Sequence, residues 1–431
     1  MTSTAERLAN WANDYVPTAD DLALANRSLL DTVAVALGAR ESPLRPVVSD
    51  MPDAGRWSAL AHVLDFDDLH MESTTHVSAV CVPAVLASGG EAGAYLAAAG
   101  AMARLGTALG WAHYRGGWHA TCTAGAPAAA IGAARSLGLD RAQTAAAIAL
   151  AVPAAGGVQR AFGSSGKSLQ VGFAADAGVR AAQLVAAGAD ADPSALDQWL
   201  TLVGGDPDAL DLSGPAIPGG LAIKVFPCCY AMQRPIAAVR ALLATAQPDG
   251  HRDITRIREI RVTAPEATVH PLIHHRPRTG LEGKFSLEYA VATALIDDYP
   301  GIASFTTDAV MRPTAQRLIN RTSTTLIPGG TGLLDGETGI ELVLSDGHCR
   351  NTELDLPPGS PARPVSEADL TDKAASCGAD IPRLIDGIDW RTAATVLRQQ
   401  LPAGGTQTGL ILRELGRSDG DIDSLRTRGL I

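Results

Sequence analysis

Residues 62–76 read HVLDFDDLHMESTTH and place three aspartates and three histidines within fifteen positions. Imidazoles titrate near neutrality and carboxylates orient them, so this stretch holds the raw material for proton transfer. On a helix His62 and Asp65 share a face, which places a carboxylate to fix an imidazole tautomer. For Asp67 and Asp68 the expectation is plainer: a solvated face or a helix cap.

Other stretches add candidates. In RGGWHATCTAGAP (Arg115 to Pro127) His119 follows a Gly-Gly-Trp turn and precedes an Ala-rich helix. A helix dipole favours the neutral imidazole there, which suits a general base, although a capping or core histidine fits the same pattern. The stretch AFGSSGKS (Ala161 to Ser168) differs at one position from G-x-x-x-x-G-K-[ST], the phosphate-cradling loop. That loop needs a strand before it and a helix after it. The preceding AIALAVPAAGGVQR reads as helix formers and then a Pro and Gly break, and Ala161 replaces the first glycine. The nucleotide reading is therefore set aside, and Lys167 is left as either an anion ligand or a solvated lysine at a helix start. In IKVFPCCYAMQRP (Ile223 to Pro235) Lys224 precedes a Phe-Pro turn, with Cys228 and Cys229 readable as small core residues. His270, His274, His275, Arg276 and Arg278 crowd VHPLIHHRPRTG, which reads equally as an anion site or a solvated loop and stays outside the catalytic set.

The elements that must position these residues are legible in outline. The 431 residues are 46% hydrophobic, enough for two or three domains. From about Thr4 to Leu221, Ala and Leu recur at spacings of three and four with Gly or Pro between runs, which predicts packed helices. With only 4% aromatics the core must be filled by small side chains, and Ala and Gly on facing surfaces allow close helix approach. Near QPDGHRD (Gln247 to Asp253) β-branched alternation begins, in ITRIREIRVTAPEATV, RTSTTLI and GIELVLSDGHCRNTELDL. SDG between two alternating runs signals a hairpin. LPPGSPARP closes this part and Ser366 is placed to cap a returning helix. The expected fold class is mainly α: an all-α helical domain beginning with residues 1–221, a smaller α+β domain over 222–359, and C-terminal helices over 360–431 that rejoin the first.

Composition also excludes. A net charge of −11 removes the cationic footprint expected for nucleic acid or anionic membrane. Six cysteines without zinc spacing fit a reduced, cytoplasmic protein. The charged opening MTSTAERLANWANDY is not a signal or transit peptide, and the most apolar segment is short and broken by Pro153.

The blocks HVLDFDDLH, RGGWHATCTAG, FGSSGKSLQVGFAADAGV, KVFPCCYAM and TGLEGKFSLEYAVATAL occur in an order that resembles the MmgE/PrpD family along nearly the whole chain. The resemblance implies an all-α domain with an α+β lid, a homodimer, a cleft active site and a small polycarboxylate substrate. It implies no metal and no organic cofactor. Carried over position by position, it implies Asp65, His76, His119, Lys224 and Tyr289 as catalytic residues, with Lys167 and Cys229 contacting substrate. Leu69, Cys229 and Gln233 depart from the residues frequent in relatives, which bears on the substrate and not on the fold.

The chemistry expected is proton abstraction α to a carboxylate, with Lys167 and Lys224 stabilising the charge that develops, His76 and His119 moving protons and Asp65 orienting a histidine. Tyr289 would donate a proton to a leaving hydroxyl or to carbon. Dehydration is the first expectation, with decarboxylation and epimerisation as alternatives. Two rival readings stand beside it. A prenyl-diphosphate enzyme would exploit DDLHME, but it needs a second acidic metal motif and an aromatic pocket that this composition does not supply. A non-catalytic carboxylate-binding protein of the same fold is motivated by Leu69 and Gln233, against which stand both lysines and both histidines.

Overall fold

Small side chains set the helix spacing. In the computed structural model, which describes residues 2–246, 254–333 and 335–404 and a few positions between 415 and 424, the helices Ala120–Ser136 and Ser165–Ala186 pack face to face. A Cβ added at Gly178 would lie 2.5 Å from the Ala126 carbonyl oxygen, so this approach requires glycine. The helix Asp53–Val63 meets Ser165–Ala186 in the same way, with a Cβ at Gly172 falling 2.6 Å from the Gly55 carbonyl oxygen. Interhelix contact made by backbone and methyl groups explains how a core so poor in aromatics stays dense.

One hydrophobic core draws on residues 5–221 and again on residues 374–401. The returning helix Glu367–Cys377 is capped by Ser366 in a full capping box, and it packs on the N-terminal helix Ala19–Gly38. A second core draws on residues 226–344 together with Phe162. It covers a four-stranded sheet, β1 (Ile257–Pro265), β2 (Thr322–Ile327), β3 (Thr338–Leu344) and β4 (Cys349–Leu354), in the order β2-β1-β3-β4. β1 runs parallel to β2 and antiparallel to β3, and the β3–β4 hairpin turns through SDGHCR. Ile260 and Val262 on β1 and Ile340 and Leu342 on β3 point into this core, against the helix Tyr230–Ala246. The molecule is thus mainly α with a smaller α+β domain. The stretch 247–253, where the sequence changes texture, lies outside the described residues, as does much of the chain beyond residue 404. No described helix is long and apolar enough to cross a membrane.

Candidate active site

The helix Asp53–Val63 ends with His62 in its last turn, and the chain then turns sharply through Asp65, whose φ of 53° is left-handed. That turn sends successive carboxylates in different directions. Asp65 Oδ2 accepts from Lys167 Nζ at 3.0 Å and Asp65 Oδ1 from Lys224 Nζ at 2.7 Å. Asp67 Oδ2 lies 2.7 Å from His62 Nδ1 and 2.9 Å from His76 Nδ1, although only the first contact has hydrogen-bond geometry. Asp68 leaves the cluster to accept from the Ser78 hydroxyl and the Ser78 amide. All three aspartates are buried. The expectation of a solvated face for Asp67 and Asp68 is therefore overturned, because the turn folds inward where counter-ions and donors await it; the cap alternative survives for Asp68, which accepts the first amide of the helix Ser78–Ala87. The role of orienting a histidine, expected of Asp65, falls geometrically to Asp67.

Lys167 sits in the first turn of Ser165–Ala186, whose N-cap is Ser164. Before it stand the helix Arg141–Ala151 and two short 3-10 turns, Val152–Ala154 and Gln159–Ala161, and no strand, so the phosphate-loop geometry is absent. Lys167 Nζ also lies 2.8 Å from His62 Nε2. An ammonium can only donate, so His62 Nε2 accepts and the proton of this neutral imidazole is assigned to Nδ1, facing Asp67. The result is one hydrogen-bonded chain, Asp67–His62–Lys167–Asp65–Lys224.

His119 is the N-cap residue of Ala120–Ser136, and its amide donates to the Gly157 carbonyl. Its Nδ1 is 3.2 Å from Cys122 Sγ and 3.4 Å from Gln170 Oε1, which can only accept, so the ring proton is assigned to Nδ1 and the Nε2 lone pair is left free; Nε2 is buried without a hydrogen bond. Together with Leu69, His76, Tyr114, Phe162, Lys167, Cys229 and Phe285, His119 lines a cavity of ≈ 20 Å³. That is room for about one water. Tyr114 reaches the cavity because Gly110, at φ 72°, breaks the helix Ala92–Arg115 and re-aims its last turn.

Burial and charge set the protonation states. Burial lowers His119 well below its ordinary range, helped by the nearby Lys167 ammonium. Burial likewise lowers His76 to about 3 and lowers His62, with Asp67 opposing the shift in both. Burial alone would raise Asp65, but Lys167 and Lys224 outweigh it and hold the carboxyl far below its usual range. Asp67 is likewise held well below its usual range against its burial, by the His62 Nδ1–H hydrogen bond and the nearby Lys224 ammonium. Burial raises the Cys229 thiol to about 11, so it forms a neutral wall.

The structure thus gathers Asp65, His76, His119, Lys167, Lys224 and Cys229 around one place. Lys224 stands behind Asp65, fully buried, and does not line the cavity. Tyr289 is not brought in: its hydroxyl donates to the Ser304 carbonyl and its ring packs on Phe305. Gln233 is also elsewhere, bridging the Val225 and Phe226 amides and the Phe226 carbonyl, so it shapes the Phe-Pro turn. Leu69 lines the cavity. Sequence reasoning passed over Asp67, Gln170 and Lys284; a lysine inside the apolar run GKFSLEY was the available signal for the last. His62, Asp67 and His76 each present a potential metal-ligand atom, all within 4.8 Å of one another. Two ammonium groups nearby and the existing His62–Asp67 hydrogen bond make this trio a better fit to a proton network than to a cation.

Models of the MmgE/PrpD N-terminal and C-terminal domains match residues 54–199 and 226–383. The chain belongs to the MmgE/PrpD family. His62, Asp65, Asp67, His76, His119 and Lys167 lie in the first matched span, Cys229 lies in the second, and Lys224 falls between the two. The chain is similar to a cis-aconitate decarboxylase of Aspergillus terreus, 25% identical over 388 residues that cover 81% of this chain and 78% of the relative. It is also similar to a cis-aconitate decarboxylase of Aspergillus terreus strain NIH 2624, 26% identical over 329 residues, covering 68% of this chain and 66% of that one. These relatives make the chain one of a lyase-type family.

Proposed function

We propose that the protein is a lyase for a small polycarboxylate, acting by removal of a proton α to a carboxylate and closest in reaction to a 2-methylcitrate dehydratase. The observation that carries this reading is His119: a neutral imidazole with its Nε2 unpartnered, in a buried cavity shared with the Lys167 ammonium. A base needs a free lone pair, and the anion it creates needs a cation already in place. In this reading His119 Nε2 takes the α proton, and the C–H electron pair moves into the carboxylate to form an aci-carboxylate facing Lys167. Those electrons then form the carbon–carbon double bond as the β C–O bond breaks. The imidazolium returns its proton to the departing hydroxide, so water leaves and His119 ends neutral. His76 and Asp67 are a second proton path, Asp65 holds Lys167 in position, and Lys224 keeps Asp65 ionised. Cys229 contacts substrate as an uncharged wall. Tyr289 has no part in this scheme. The reading includes no cofactor, and it retains a homodimer as a family-based expectation and a cytoplasmic location as one drawn from the cysteine content.

A second reading is favoured by the similarity to two cis-aconitate decarboxylases. There the bond broken is carbon to carboxylate, and a histidine must deliver a proton to carbon. Proton NMR in D2O with 2-methylcitrate, citrate, cis-aconitate and iminodisuccinate, each separately, distinguishes them. A new vinylic product from a hydroxy acid supports dehydration. Loss of carbon dioxide from cis-aconitate moves the assignment to decarboxylation. Deuterium exchange of iminodisuccinate without elimination points to epimerisation, and silence from folded protein across the panel removes the enzyme reading.

A further inference from the structure

Three buried ammonium groups converge on three successive backbone carbonyls. Lys284 Nζ donates to the Leu64 carbonyl at 2.6 Å, Lys224 Nζ to the Asp65 carbonyl at 3.0 Å, and Lys373 Nζ to the Phe66 carbonyl at 2.7 Å. The donors come from parts of the chain far apart in sequence: the segment before the Phe-Pro turn, the segment before the helix Leu287–Ile296, and the returning helix Glu367–Cys377. Lys224 is 0%, Lys284 4% and Lys373 6% exposed. Desolvating an ammonium is costly, so three of them on one turn is not how a chain gains stability most cheaply. Lys224 and Lys373 have carboxylate partners in Asp65 and Asp31, whereas the contacts of the Lys284 ammonium are two carbonyls, Leu64 and Pro227, and the Phe305 ring.

The turn they grip needs holding. A left-handed backbone at a residue other than glycine is strained and persists only where the surroundings over-determine it. Packing does not do so on every side, because a cavity of ≈ 310 Å³ lined by Phe66, Lys224 and Lys373 lies against the turn. Hydrogen bonds to the carbonyls are what fix it there.

We propose that Lys284 and Lys373 are positioning residues which, with Lys224, form a cradle for the 64–66 backbone and so set the opposed directions of Asp65 and Asp67. This rests on the proposed role of those aspartates in the active site. Lys284 does one thing more: by also binding the Pro227 carbonyl, two residues before Cys229, it ties the aspartate turn to the opposite wall of the cavity. Lys373 locks the turn to the first domain through Asp31.

The test is hydrogen–deuterium exchange and steady-state kinetics on the full chain for Lys284→Met, Lys373→Met and Lys373→Arg. Each methionine variant should speed exchange across residues 62–69 by about tenfold or more while the helix Ala120–Ser136 keeps wild-type protection. Each should lower kcat by about 10²-fold with KM changed less than about threefold, as expected when reacting groups are misplaced and substrate contacts are kept. Lys373→Arg, which retains a donor, should restore most of the protection and the rate. Wild-type protection of 62–69 in both methionine variants would overturn the cradle, as would equal loosening of 62–69 and the Ala120–Ser136 helix, which marks a general packing role. If one methionine variant does not fold, the other and Lys373→Arg decide by the same readout. Should the wild-type protein turn over none of the acids, the functional reading fails, and exchange alone still decides the cradle.

Discussion

Two histidine-rich stretches, 62–76 and 270–275, look alike as strings and have different fates in the fold. In the first, His62 and His76 are buried against Asp67, and Lys167 closes the network from the other side. In the second, the His275 side chain is 78% exposed beside Glu288, His274 bonds the Phe162 carbonyl, and His270 rests on Trp111 and Tyr114. Even within the first stretch His70 differs, since both of its ring nitrogens are taken up, by Ser73 and by the Pro218 carbonyl. Density of titratable residues does not make a reactive site. Burial beside opposite charge does, because there a small displacement of a proton is felt at full strength.

The comparison is sharpened most by His119→Ala, which removes the unpartnered lone pair. Turnover should fall by about 10²–10⁴-fold with far-UV circular dichroism unchanged. A rate within a fewfold of wild type would break the assignment. Next comes Asp67→Asn. The carboxylate opposes the burial-driven lowering of His62 and His76, so its loss lowers both further. Turnover should drop by about 10²-fold, measured as kcat across pH 5–9.

A smaller effect separates Asp68 from its neighbours. Burial raises Asp68 to about 7, partly offset by Ser78, against an ordinary value of 3.8. Between those values the folded state holds a proton that the unfolded state has released, so Asp68 contributes stability that is lost as pH rises from about 4 to about 7. His76 works the other way: with its folded value near 3 and its ordinary value at 6.5, stability is lost as pH falls through that window. In Asp68→Asn the first slope should vanish, so its melting temperature relative to wild type should climb from pH 4 to pH 7. A constant difference would remove the assignment. The smallest effect is expected in the second stretch, where His275→Ala with Arg276→Ala should leave stability within about 0.5 kcal/mol and kcat unchanged.

Much of this was readable from the chain alone. Ala and Gly at helical spacing announced close-packed helices, SDG announced the β3–β4 hairpin, and Ser366 announced the cap of the returning helix. The positions of His119 and Lys167 at helix starts followed from the Gly breaks before them. What could not be read was direction. Asp65, Asp67 and Asp68 lie within four positions, and which faces lysines, histidines or Ser78 depends on a left-handed turn held by Lys224, Lys284 and Lys373. Those partners lie 159 to 307 positions away, beyond the reach of any local pattern. Tyr289 shows the converse, since a matching motif placed it near the site in sequence terms and the helix Leu287–Ile296 turns its hydroxyl toward Ser304.

The three-lysine grip also orders events at the ribosome. A chain that has emerged only through its Ala-rich helices carries the 64–66 turn with none of its three cationic partners yet made. At synthesis rates of roughly 5–20 residues per second, the interval from that turn to Lys373 lasts about 15–60 s. Within that interval Lys224 and then Lys284 become available to the turn, and Lys373 comes last. The hold on the Phe66 carbonyl therefore comes last, when the helix Glu367–Cys377 docks, and a nascent chain truncated before that helix would carry both the Ala-rich helices and the sheet without it.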